Sequence, residues 1–314
     1  MPTQTPQRRA IAMREILLLI ATGVLILLII IPTILRTRAT AASKQCCLNL
    51  RMLGLAAHQY HDLRGTLPPS RIAPGYATWA VLVAPFLPDG EEAFKWDLTK
   101  PYGEQPQCQL TTATIKAFFC PVRRFRPGLS QPGIDVLPDG RDVPGRAGDY
   151  AGVAGSPRAI QLKHHEDEGD GCIILARANF DQGKLTDWRG RIDLSAVRQG
   201  TSNALLLGER HVPAGSLNAD RGDGCIYNGY LPRTAVRIIG PSLSDTGQDF
   251  GLASSPQDRA GGPDRWQRIF GSAHAEGIVP FCMADGSIRK FRPTVSATLL
   301  RELAILQPVP AASK

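Results

Sequence analysis

The chain has 314 residues, a formal net charge of +8 and 43% hydrophobic residues, with 31 glycines, 25 prolines and only 6% aromatic residues. This composition favours a body of strands and turns with many loops, and it argues against a helical bundle. The basic excess is spread along the chain without a nucleic-acid-binding motif, so we expect a solvated basic surface near a membrane or a cell-wall polyanion and no nucleic-acid partner.

The segment Ile16 to Leu35 contains twenty residues without a charge, most of them Leu and Ile. A helix of that length spans roughly 30 Å, which matches the hydrocarbon core of a bilayer. A core helix of a soluble protein would need a polar face, and this segment has none. The sequence therefore predicts a transmembrane helix, and an uncleaved signal-anchor fits better than a cleaved signal peptide.

Glu15 precedes the apolar segment, and Pro32 lies seventeen positions after it. This arrangement resembles type IV pilins and pseudopilins, in which a small residue, four further positions, a Glu and an apolar helix follow one another. The resemblance implies cleavage after Ala10, a mature chain that starts at Ile11, and a pairing role for Glu15 in assembly. The alternative is that Glu15 is an interfacial residue beside Arg14.

Helical spacing continues from Thr37 to Leu63, where one apolar face carries Cys46, Leu50, Leu53, Ala57 and Tyr60. We expect this face to pack on a globular head, and Gly65 with the pair Pro68 and Pro69 to end the helix. His58, His61 and the adjacent Asp62 share a face. They are predicted to be polar or packing residues, because two ligands on one helix make only half a metal site.

The segment LGLAAHQYHDLRGTLPPS resembles the signature that follows the pilin-like helix in a large planctomycete family of unknown function, sometimes labelled extracellular solute-binding. AFFCPVRR, GDYAGVAG, TSNALLLGER and FGSAHAEGIVPFCMADGSIRKF resemble its later motifs in the same order. The resemblance implies an architecture and a location but no molecular task. The motif positions are His58, Tyr60, His61, Asp62, Pro68, Pro69, Cys120, Pro121, Gly208, Glu209, His274, Asp285 and Gly286.

In the body of the chain, patterns of apolar and turn residues predict several elements. Strands are expected at 114–122, 150–155 and 204–207, and segment 76–87 is either a strand or a short helix. Segment 128–148 is predicted to be an exposed loop, and Asp223-Gly224 signals a hairpin. Another hairpin is expected at 278–291, where Pro280 suggests an edge or a bulge. An amphipathic helix is expected at 294–306.

Three local patterns raise chemical alternatives. The polar run 164–170 could offer oxygens to a hard cation, but it is predicted to be a solvated loop, since EF-hand spacing is absent. His274 and Asp285 could form an acid–base pair, although turn geometry explains Asp285 better and no nucleophile motif accompanies them. Seven cysteines occur without a CxxC motif or zinc-finger spacing, which argues against a metal finger, and the sequence does not assign their pairing.

Together these patterns predict an α+β protein, in which a long N-terminal transmembrane, pilin-like helix packs on a mostly antiparallel β-sheet head. The expected segments are a leader (1–15), a span (16–35), a helical continuation (36–65), a head (66–306) and a tail (307–314). We expect a single-pass protein of the inner membrane with its head outside the cytoplasm. Its partners would be the bilayer and other pilin-like subunits.

For function, we expect a structural or assembly role in the cell envelope or in a secretion-type filament, without catalysis, metal or cofactor. The first alternative is an anchored protein that binds a solute or a divalent ion through the 164–170 run or the 220–228 turn. A hydrolase ranks last.

Overall fold

The computed structural model describes residues 13–90, 95–105, 114–124, 128–158, 165–241, 248–274 and 276–306. The chain divides into two compact units, Met1–Ala42 and Ser43–Lys314. The division lies within the predicted helical continuation, 36–65, so one helix contributes residues to both units.

Helix α1 runs from Met13 to Arg64, so the predicted span and its continuation form one helix. In the first unit its apolar residues from Ile16 to Leu35 are exposed, and none of its most apolar window is buried. Pro32 lies within this stretch, and the hydroxyl of Thr33 donates to the carbonyl of Ile29 at 2.8 Å. The stretch is long and apolar enough to cross a membrane, which fits an anchor or a signal sequence.

In the second unit, the part of α1 after Ala42 supplies the predicted apolar face. Its buried residues include Cys46, Leu50, Leu53, Ala57 and Tyr60. The helix ends where predicted: the amide of Gly65 donates to the carbonyl of His61, and Gly65 adopts a positive φ of 72°. Glycine accepts this left-handed conformation without a steric penalty.

A five-stranded mixed sheet forms the centre of the head, in the order β5-β1-β4-β6-β7. All neighbouring pairs are antiparallel except β1 and β5, which are parallel. β2 and β3 form a separate two-stranded sheet. The α+β class is therefore confirmed. The strands are β1 (Tyr150–Gly155), β2 (Arg177–Asp181), β3 (Lys184–Arg189), β4 (Leu205–Glu209), β5 (Val236–Ile238), β6 (Val279–Met283) and β7 (Ile288–Phe291).

Short helices connect and cover the sheet. The α-helices are α2 (Trp79–Val83), α3 (Pro232–Ala235), α4 (Pro263–Trp266) and α5 (Ala297–Ala304). The 3-10 helices are Ala84–Phe86, Tyr102–Glu104, Lys116–Phe118, Glu166–Glu168, Leu194–Ala196, Thr201–Asn203 and Arg221–Asp223.

Segment 76–87, predicted to be either a strand or a short helix, contains the short helix α2, in which every residue is buried. Other sequence predictions need correction. Segment 114–122 was predicted to be a strand, but it contains the 3-10 helix Lys116–Phe118. A turn follows, in which the amide of Arg124 donates a hydrogen bond to the carbonyl of Cys120. The expected hairpin at Asp223-Gly224 is a 3-10 helix with Asp223 buried. The β2–β3 hairpin, which turns at Gln182 and Gly183 with positive φ, was not predicted.

The C-terminal hairpin is confirmed, with β6 and β7 joined through Asp285 and Gly286. Pro280 does not mark an edge, because β6 lies between β4 and β7. The β6–β7 register is regular through Pro280, and the irregularity lies in β4 between Leu205 and Leu207. The C-terminal helix is confirmed but is shorter than expected. The predicted tail lies outside the described residues.

Candidate functional site

Four side chains from separate parts of the chain meet in the interior of the head. Cys46, Cys120 and Glu209 have no exposed surface, and His274 is 6% exposed. The sulfur of Cys120 lies 3.0 Å from that of Cys46 and 3.6 Å from Nε2 of His274. The same nitrogen lies 3.7 Å from Oε2 of Glu209. We call these four residues the Cys-His-Glu cluster.

Each member is held by its local fold. Cys46 lies on the buried face of α1. Cys120 follows the 3-10 helix Lys116–Phe118, and its amide donates to Oδ2 of Asp149 at 2.8 Å. Glu209 ends β4, and the amide of His274 donates to the hydroxyl of Ser272 at 3.1 Å. The last strand residues of β4 and the loop before β6 therefore meet beside the sulfur pair.

A buried ion network adjoins the cluster. Arg123 contacts Asp149 at 3.3 Å and Glu209 at 3.0 Å, and Arg124 contacts Asp149 at 2.9 Å. Arg124 also pairs with Asp223. The basic excess was expected to form a solvated surface, but the side chains of these two arginines are buried. The one sequence feature that could have indicated their burial is that Arg123 and Arg124 closely follow the Cys120-Pro121 motif.

The electrostatics of the cluster follow from these contacts. The hydrogen bond with Cys46 raises the pKa of the Cys120 thiol far above its usual value, and burial adds to the effect. Burial lowers the pKa of His274, but the hydrogen bond with Cys120 and the charge of Glu209 outweigh it, so this pKa is raised. Oε2 of Glu209 has no hydrogen-bond partner among the described residues. In its reduced form, the buried Cys120 is therefore a poor nucleophile.

The ligand atoms of Cys46, Cys120 and His274 lie within 4.8 Å of one another. Sulfur and imidazole ligands suit a thiophilic cation, and two adjacent sulfurs also suit a disulfide. Sequence spacing missed this group because its members are 74 and 154 positions apart. The expectation of no metal and no cofactor stays a prediction.

The other motif histidines do not share one ligand set. Nε2 of His61 accepts from the amide of Leu194 at 3.4 Å, and its Nδ1 lies 3.7 Å from Asp62. His58 and Gly286 instead line a cavity of about 370 Å³, and a Cβ at Gly286 would lie 3.9 Å from Nε2 of His58. The contacts of His61 support the interpretation of that histidine as a polar or packing residue.

Tyr60 lines a different cavity, of about 290 Å³, together with Trp96 and apolar side chains. Pro68 and Pro69 are buried just after the end of α1, where they prevent the helix from continuing. Pro121 lies in the exposed turn after Cys120. Gly208 lets β4 and β6 approach, because a Cβ there would overlap the ring of Phe281.

His274 and Asp285 do not form an acid–base pair. The ring of His274 contacts Cys120 and Glu209, whereas Oδ1 of Asp285 accepts from the amide of Ser287 at 2.9 Å. Gly286 has a positive φ of 82°, so these two residues satisfy the turn geometry as expected.

The acidic run is not a solvated loop in its described part. Asp167 is buried and accepts from Nε of Arg71 at 2.6 Å, and Asp170 accepts from the hydroxyl of Ser156 at 2.8 Å. Their carboxylates connect segments of the head, which leaves them unsuited to a hard cation. His164 lies outside the described residues.

In the first unit, Glu15 lies in the first turn of α1 and Pro32 lies inside the helix. An acidic residue is favoured in the first turn by the helix dipole. Ala10 and Ile11, the residues of the predicted cleavage site, lie outside the described residues.

Comparisons with known proteins give one match. No curated protein and no solved structure matches the chain. A family model described as "Protein of unknown function (DUF1559)" matches residues 36–297, which include the whole Cys-His-Glu cluster. This match covers most of the chain, and the chain therefore belongs to this family of unknown function.

Proposed function

We propose that the protein is a membrane-anchored, pseudopilin-like protein with a structural or assembly role in the cell envelope or in a secretion-type filament, with its head outside the cytoplasm. The observation that carries this proposal is helix α1. Its first part is apolar on every side and exposed, whereas its part in the second unit buries one face in the core. A helix satisfies its own backbone groups in lipid, so such a stretch is stable in a bilayer.

Two details of the first unit support the anchor. The hydroxyls of Thr22 and Thr33 donate to carbonyls four residues earlier, both at 2.8 Å, which leaves these polar groups satisfied inside the apolar stretch. Arg14 precedes the stretch, and Arg36 and Arg38 follow it, as is common at membrane interfaces.

The burial of the Cys-His-Glu cluster supports a role without catalysis. His274 is its most exposed member, at 6%, and a substrate needs access to a reacting atom. Ion binding, the first alternative, receives less support because the described carboxylates of both candidate loops are engaged. Asp167 pairs with Arg71, and Asp223 pairs with Arg124 and Arg210.

Cell fractionation tests the anchor. We expect the full-length protein to stay in the membrane pellet after a carbonate wash. We also expect protease to digest the head when it is added to cells whose outer envelope has been permeabilised and whose inner membrane is intact. A variant with Leu25→Arg and Leu28→Arg should be released, because each arginine costs about 2.5–3.5 kcal/mol at a span centre. The matched variant Leu25→Ile and Leu28→Ile should stay in the pellet. Native protein found in the soluble fraction would contradict the proposal.

N-terminal sequencing of protein purified from membranes tests the pseudopilin part. A first residue of Ile11 is expected if a prepilin-type peptidase processes the chain. A start at Met1 or Pro2 would leave a plain anchor and remove the filament role.

A further inference from the structure

We infer that Cys46 and Cys120 are joined by a disulfide in the mature protein, which ties α1 to the segment after the 3-10 helix Lys116–Phe118. The two sulfurs lie 3.0 Å apart in a site without solvent exposure. Even carbon atoms rest about 3.5–4.0 Å apart, and sulfur is larger, so two unmodified thiols are crowded at this distance. A disulfide bond is about 2.05 Å long, so the two sulfurs need to approach by about 1 Å more for the bond to form.

Formation of this disulfide is a two-electron oxidation. Cys46 and Cys120 each lose the hydrogen of an S–H bond, one sulfur–sulfur bond forms, and two electrons and two protons leave. A disulfide of the thiol–disulfide exchange class, in a protein or a small molecule, accepts them and becomes two thiols. Such oxidants act outside the cytoplasm, so the inference in cells rests on the proposed placement of the head.

The structure also indicates when the bond forms. Thiol–disulfide exchange requires a thiolate and access to the sulfur. In the folded head both sulfurs are buried, and the pKa of the Cys120 thiol is raised by its hydrogen bond with Cys46 and by burial. Oxidation therefore belongs to folding, before α1 covers Cys120. For the same reason a reductant added to the folded protein reacts only when the head opens.

A zinc ion held by Cys46, Cys120 and His274 is the rival interpretation. Zinc–sulfur bonds of about 2.3 Å in a tetrahedral site set two thiolates roughly 3.7 Å apart, so zinc would have to separate this pair. The ring nitrogen that would bind zinc already faces Oε2 of Glu209 at 3.7 Å. A disulfide also suits the proposed location of the head, because such bonds persist outside the cytoplasm.

Peptide mapping of the full-length protein, alkylated during extraction from membranes under denaturing, non-reducing conditions, tests the bond. Trypsin releases Cys46 and Cys47 together in residues 45–51 and Cys120 in residues 117–123. We expect these two peptides to be linked. Cys47→Ser should keep the link and Cys46→Ser should abolish it, which assigns the pair.

Thermal unfolding gives a second readout. The bond closes a long loop, since the two cysteines are 74 positions apart. Reductant present during unfolding and refolding should lower the Tm of the native protein by roughly 10 °C. Cys120→Ser should show no such response, whereas Cys172→Ser, which removes another buried thiol, should respond like the native protein.

Refolding the purified chain with oxidised glutathione separates the chemistry from the location. Free thiols at Cys46 and Cys120 after this treatment, or one zinc per chain with both thiols retained, would overturn the inference even if the protease assay places the head outside. A bond that forms with glutathione but is absent from cells would overturn the claim for the mature protein, and it would indicate a head on the reducing side.

Discussion

At the level of single residues, the interior of the head depends on charges that neutralise one another. Asp223 accepts hydrogen bonds from Arg124 and Arg210, and its Oδ2 accepts from the amide of Asn218 at 2.6 Å. Burial alone would raise the pKa of Asp223, but the two guanidinium groups outweigh it and hold this pKa below its usual value. The carboxylate is thus ionised at neutral pH and balances two buried cations.

We therefore expect Asp223→Ala to destabilise the head by about 3–5 kcal/mol, because Arg124 and Arg210 lose a shared counter-charge. Asp220→Ala provides a matched control. The carboxylate of Asp220 accepts from the amide of Gly222 at 2.7 Å in the same 3-10 helix, so its loss should cost about 1 kcal/mol. Urea unfolding of both variants measures the difference, and equal losses would show that the buried pairing contributes little.

At the level of elements, the contact between α1 and β6 depends on a glycine. A Cβ at Gly54 would overlap the sulfur of Cys282, which is fully buried on β6. The helix thus approaches the sheet more closely than an alanine would allow. The overlap opposes the gain of about 1 kcal/mol that alanine usually brings to a helix.

Gly54→Ala should lower the stability of the head by about 1–3 kcal/mol, as over-packing in a dense core does. Adding Cys282→Ala should recover part of that loss, because it removes the overlapping sulfur. A Cβ at Gly23 in the same helix meets no atom within 4 Å, so Gly23→Ala should not lower the stability of the head. Thermal unfolding in detergent compares the three variants. A stabilised Gly54→Ala protein would contradict the close approach.

At the level of the whole molecule, our proposal places the first compact unit in lipid and the second in water. The first exposes a long apolar helix, and the second contains both buried hydrophobic clusters within Ser43–Lys314. A unit with its own core can fold without the rest of the chain.

A truncated chain that begins at Ser43 should therefore be soluble and unfold in one cooperative transition. Its remaining helical residues, including Leu50 and Leu53, still cover the core. Circular dichroism during heating and sedimentation analysis would check this expectation. Aggregation, or a gradual loss of signal, would show that the head needs residues before Ser43.

The sequence alone was sufficient for features carried by short-range patterns. The continuous apolar run from Ile16 to Leu35 predicted the exposed part of α1, and the spacing of Leu50, Leu53 and Tyr60 predicted its buried face. Alternation around Asp285-Gly286 predicted the β6–β7 hairpin. These features are set by neighbours within a few positions, so periodicity reveals them.

Only the tertiary structure revealed which distant groups meet. It placed Cys46 beside Cys120, brought His274 to Glu209, and buried Arg124 against Asp223. No periodic pattern records such contacts, because side chains 65 or more positions apart are brought together by the sheet order and by the packing of α1. A charged residue in a turn-like sequence looks solvated until its partner is known, which is why the internal ion pairs were missed.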